Sequence, residues 1–81
     1  MSANINDIKQ WLETGKEKGA THVIVALDTW DYSNYPVYVL TKDDVKEKVR
    51  EFDSKQDRID EVYNLSMDIE QQLGARRAKN Y

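Results

Sequence analysis

The chain has no cysteine, a single histidine (His22), a single proline (Pro36) and few glycines. Without thiols it holds no disulfide, which suits a reducing compartment. One imidazole and no thiolate leave too few ligands for a zinc site. The longest apolar run, Val23 to Leu27, is far short of the roughly 20 residues of a membrane-spanning helix. The opening "MSANIND" lacks the basic, apolar and cleavage regions of a signal peptide, so a cytoplasmic location is expected. A surplus of positive charge is missing too. The net charge is −3 and the pI about 5.0, which argues against direct DNA binding.

Catalytic patterns are also scarce. Ser2, Ser33, Ser54 and Ser66 show no evident partnership with His22 and an aspartate, so nucleophilic catalysis has no visible constellation. His22, beside Thr21, could serve as a general base, but a lone histidine at a strand start is more often structural. The segment "ETGKEKG" has the flavour of a phosphate loop. Yet Glu17 follows Lys16 where Ser or Thr is required, and the segment ends a helix instead of opening one. Asp28, Asp31 and Asn34 could offer oxygens to a cation, but a calcium loop needs more carboxylates, a central glycine and a distal glutamate. Turn formation by the two aspartates is the stronger reading. The chain is therefore expected to be non-catalytic, with no metal and no cofactor.

What is present is a folding pattern. With 33% charged and 40% hydrophobic residues, the composition is that of a folded soluble domain. Ile5, Ile8, Trp11 and Leu12 recur at helical spacing, which predicts a helix over 4–18 with Asn4 or Asn6 as cap and Gly19 as stop. "ATHVIVALDT" predicts a strand over 21–28, and "YPVYVL" a second over 36–40 with Pro36 at its start. A long aromatic loop, 28–35, joins them. "TKDD" caps a helix over 42–53 from Thr41, and Val45, Val49 and Phe52 form its apolar stripe. Ile59, Val62, Ser66, Ile69 and Leu73 fall at steps of three and four, predicting a helix over 55–73 with 53–57 as a break or a continuation. A basic tail, 75–81, follows Gly74. The expected fold is α+β, one small domain spanning 1–81 in the order α-β-β-α-α, with an antiparallel β-hairpin packed on helices.

Both faces of the first strand look apolar, Val23, Val25 and Leu27 on one and Ile24 and Ala26 on the other. Either the last helix wraps round to cover the second face, or a homodimer completes the two-stranded sheet or covers that face.

The aromatic loop is the leading candidate site. Trp30, Tyr32 and Tyr35, with Asp28 and Asp31 between and before them, have the composition of a recognition surface: large rings separated by short polar residues. The alternative is that the rings fold back as core. Arg76, Arg77 and Lys79 form the one concentrated positive patch, suited to phosphate or an acidic partner. The competing reading of that patch is complementation of a helix C-terminus. The many acids of the later helices could imitate a DNA backbone, but Lys42, Lys46, Lys48, Arg50, Lys55 and Arg58 interleave with the first of them, as on ordinary solvated helices.

"GATHVIVALDTWDYSNYPVYV" with the downstream "EVYNLSMDIEQQLGARRAKNY" resembles a family of small uncharacterised accessory proteins of tailed bacteriophages. The matching positions are Gly19 to Val25, Asp28, Thr29, Tyr35 to Val39, Tyr63, Leu65, Ser66, Asp68, Glu70, Gln72, Leu73 and Arg76 to Ala78. Gly74 departs from the pattern. The resemblance implies a phage accessory protein at work in the cytoplasm of a bacterial host, one that binds and inhibits a host defence protein. The alternatives are a sponge for a nucleotide-derived immune signal, with a base on Trp30 or Tyr35 and phosphates on Arg76 and Arg77, and a structural or regulatory phage protein without a pocket.

Overall fold

The computed structural model describes residues 4–53, 57–75 and 78–81. Its centre is the strand β1 (Ala20–Asp28), whose apolar run is buried from Val23 to Leu27. A strand buried on both faces needs neighbours at both edges and cover above and below. β2 (Ser33–Leu40) and β3 (Asp57–Asn64) supply the edges, giving an antiparallel sheet in the order β2-β1-β3. Three helices supply the cover: α1 (Ile5–Glu17), α2 (Val45–Phe52) and α3 (Ile69–Gly74). The fold is a mixed α+β domain, and the described elements run α-β-β-α-β-α.

α1 begins where the sequence places it. Asn4 accepts from the Asp7 backbone N–H at 2.9 Å, and Asp7 accepts from the Asn4 N–H at 3.2 Å, a reciprocal capping box. Gly19, with φ of +75°, makes the left-handed step from helix to strand. Ile8 and Leu12 then pack with Val23, Val25, Tyr63 and Leu73 on one sheet face, with α3 alongside through Ile69. On the other face Ile24, Ala26, Val37, Val39, Ile59 and Val62 are covered by Val45, Val49 and Phe52 of α2. The second face is thus covered by α2 of the same chain, and neither a long last helix nor a second copy is required for it.

The helix expected over 55–73 is replaced by β3, a turn and the short α3. The reason is a β-bulge. Glu61 pairs with Val25 and Ile59 with Ala26, which leaves Asp60 as an extra residue in β3. That extra residue puts Ile59 and Val62 on one face at a spacing of three, so a bulged strand imitates helical periodicity. Glu61 and Tyr63 face the α1 side, where the Tyr63 hydroxyl donates to Glu61 Oε1 at 3.1 Å. After β3, Asn64 Oδ1 accepts from the Ser66 N–H at 2.9 Å and Asp68 caps α3. The buried Gln72 holds the turn: Asn64 N–H donates to its Oε1 at 2.7 Å, and its Nε2 donates to Asn64 O at 2.9 Å.

Two other boundaries shift. Asp44, not Thr41, caps α2, accepting from the Lys46 N–H at 2.8 Å. β2 starts at Ser33, so the connection to β1 shortens from 28–35 to 29–32.

The free edges are unlike. On β3, Val62 N–H donates to Ala78 O at 3.1 Å and Asn80 N–H donates to Val62 O at 3.0 Å, so residues 78–80 run parallel along it. Because the polar backbone groups of Val62 point to the tail, those of Ile24 opposite point to β2, and strict alternation then turns the Pro36 nitrogen outward. The outer edge of β2 therefore lacks a donor at its middle, a common protection against strand addition.

Candidate functional site

The hairpin connection is short and held by its own aspartates. Asp28 Oδ1 accepts from the Trp30 N–H at 2.8 Å, and the Asp28 carbonyl accepts from the Tyr32 N–H at 2.8 Å. Asp31 Oδ1 accepts from the Ser33 hydroxyl at 2.6 Å and from the Ser33 N–H at 3.0 Å. The Ser33 hydroxyl bond, then the backbone bond, hold the Asp31 carboxyl below the usual carboxylate range. Four hydrogen bonds thus fix a turn whose central side chains touch little. Trp30 is 77% exposed and Tyr32 64% exposed. Tyr32 also adopts φ of +57°, a left-handed conformation that bulky side chains rarely take.

Tyr35 parts company with the other two rings. It lies in β2 with the parity of Val37 and Val39, half-buried against the α2 face. Burial first, then a hydrogen bond to Asp57 and the charges of Asp57 and Asp28, push its phenol above the ordinary tyrosine range. Of the expected site residues, then, Trp30 and Tyr32 project, Asp28 and Asp31 build the turn, and Tyr35 joins the core. Asp57 belongs to the same end of the sheet, directly opposite Asp28 in the β1–β3 register. A helical reading of 55–73 hides it, because its place depends on the β1–β3 register.

Arg76 and Arg77 lie outside the described residues. Lys79 is exposed, on the outer edge of β3. The chain from Ala78 runs in the direction of β3, away from the hairpin connection. It ends with Tyr81 O within 3.3 Å of both His22 Nε2 and Asn64 Nδ2, and with the Tyr81 ring under Lys46 Nζ, 5.7 Å from the ring centre. His22 Nδ1 meets Thr21 Oγ1 of the same strand at 2.9 Å, and the Nε2 contact ties strand to tail. Beside them an open groove of about 510 Å³ runs along Lys16, Thr21, His22, Thr41 and Asn64. It lies at the opposite end of the sheet from Trp30.

Among the described residues no group of three or more His, Cys, Asp or Glu side chains is placed to hold a metal ion. No helix among them is long and apolar enough to cross a membrane. Compared with protein-family models, with characterised proteins and with solved structures, the chain shows no match.

Proposed function

We propose that this chain is a non-catalytic, phage-type accessory protein that binds a bacterial host defence protein and inhibits it, with Trp30 and Tyr32 as anchors. The observation that carries the reading is their exposure on a turn fixed by Asp28 and Asp31. Large apolar rings left in water contribute nothing to this chain's core, while on a partner they bury much area at little entropic cost. A rigid turn has already lost the freedom that binding would otherwise remove. The phage setting comes from the resemblance quoted above, and it supplies the kind of target.

The nucleotide-sponge alternative asks for aromatic rings and tail cations in one place. Within one chain Lys79 and the hairpin turn lie apart, and Tyr35 is committed to the core, so the sponge has less support. The homodimer expected from two apolar sheet faces loses its physical motive once α2 covers the second face.

The test compares the wild-type chain with a Trp30→Ala/Tyr32→Ala variant. Both are immobilised and exposed to lysate of a host bacterium, and both are expressed in cells that carry an active defence. The wild type is expected to retain one host protein and restore phage plating. The variant, with unchanged thermal stability, is expected to lose both by tenfold or more. Equal retention and equal plating by the two would remove the loop from the interface.

A further inference from the structure

We propose that the Trp30–Tyr32 turn docks into an apolar slot rimmed by lysine and arginine on a partner protein. This rests on the reading of the turn as the binding face and adds the chemistry of what it meets. From Ala20 through Leu40 the chain carries no lysine or arginine, and in β3 Arg58 is the single cation. The strand ends hold Asp28 and Asp57, the turn holds Asp31, and the β3 bulge holds Asp60, which accepts from Asn34 Nδ2 at 3.0 Å. Arg58 stands opposite Leu27, on the face away from Asp28 and Asp57. Asp28 and Asp57 oppose each other directly, an arrangement that sheets disfavour. Among the described residues, the two exposed rings therefore sit within an anionic surround.

That surround selects among partners. A phosphate backbone or an acidic protein surface is repelled by it. A slot lined by apolar side chains takes the indole, and cations at its rim meet Asp28 and Asp31. A guanidinium or ammonium there also gains by stacking on the Trp30 ring. Rim charges of this kind act on association rate and salt dependence more than on the apolar anchor itself.

The experiment uses the host protein that the wild-type chain retains from lysate through Trp30. Its affinity is measured at 50 mM and at 500 mM NaCl, for the wild type and for an Asp28→Asn/Asp31→Asn variant. Asparagine keeps the acceptor oxygens of the turn, so the change removes charge and leaves the loop's shape. The wild type is expected to weaken at least fivefold at high salt. The variant is expected to be at least fivefold weaker at low salt and nearly indifferent to salt. Equal affinity of the two chains at 50 mM NaCl would overturn the basic rim and leave the Trp30 anchor standing. Retention of nucleic acid, or of an acidic protein, overturns it as well. Failure of Trp30-dependent retention overturns the proposed function itself and this inference with it.

Discussion

Gly15 of α1 lies directly against Val23 of β1: a Cβ added to Gly15 would stand 2.7 Å from Val23 Cγ2 and 3.3 Å from Leu65 Cδ1. Glycine inside a helix normally costs stability, yet here it sets how closely α1 approaches the sheet. Val23 is fully buried, and its β-branched side chain has little rotamer freedom to yield. Gly15→Ala sets a helix gain of about 1 kcal/mol against an overpacking cost of about 1–3 kcal/mol. The expected outcome is net destabilisation, read as a lower urea midpoint. Gly74→Ala is the control, because a Cβ there meets nothing within 4 Å among the described residues, and it is expected to be neutral or mildly stabilising.

Asp28 and Asp57 make a second prediction. Asp28→Asn keeps the acceptor for the Trp30 N–H and removes one of two opposed charges. It is expected to raise stability by about 0.2–1 kcal/mol, the scale of a cross-strand pair. The gain should shrink at 0.5 M NaCl as screening weakens the repulsion it relieves. Asp28→Ala also loses the turn bond and is expected to fall by about 0.5–1.5 kcal/mol relative to asparagine at this position. Urea unfolding of the three chains at two salt concentrations decides it.

Tyr35 gives a pH dependence with a definite sign. Its folded phenol titrates above the unfolded value because of burial and then of Asp57. The stability it contributes is therefore complete below about pH 10, the unfolded value, and is lost as pH rises from there through the folded value. Wild type should exceed Tyr35→Phe at pH 7 by about 0.5–1.5 kcal/mol, the worth of the hydroxyl's hydrogen bond. The margin should narrow on going to pH 10.5. A margin that is constant with pH, measured by urea unfolding, would place the hydroxyl in water.

Much of the sheet was legible. β1 shows itself because its apolar run is unbroken from Val23 to Leu27, and α1 because Ile5, Ile8, Trp11 and Leu12 recur at helical spacing behind an asparagine cap. The hairpin follows from the turn formers between two such runs. β3 was not legible, since the bulge at Asp60 shifts its alternation into a three-residue step that a helix shares. The site was legible in composition only. Which rings are exposed depends on where β2 starts. Beginning at Ser33 gives Tyr35 the inward parity of Val37 and Val39, a pattern already present in "YPVYV". The role of Asp57 required the β1–β3 register, which no local pattern carries.

Tyr32 joins the fold and the proposed function in one measurement. Its φ of +57° costs a bulky residue about 1–2 kcal/mol relative to ordinary backbone. Its ring is 64% exposed and supports nothing in the core. Strain together with exposure is what the proposed role of Tyr32 as an anchor would account for. Tyr32→Gly removes the strain, and the flexibility of glycine in the unfolded chain offsets part of the gain. The net is a rise of about 0.5–1 kcal/mol. The same substitution is expected to weaken retention of the host partner several-fold, because the second anchor is gone. Thermal unfolding and retention assays on one preparation read both. A variant that is more stable and binds less well separates the two roles of the residue. A variant less stable than wild type would mean that the Tyr32 ring is needed to hold the turn.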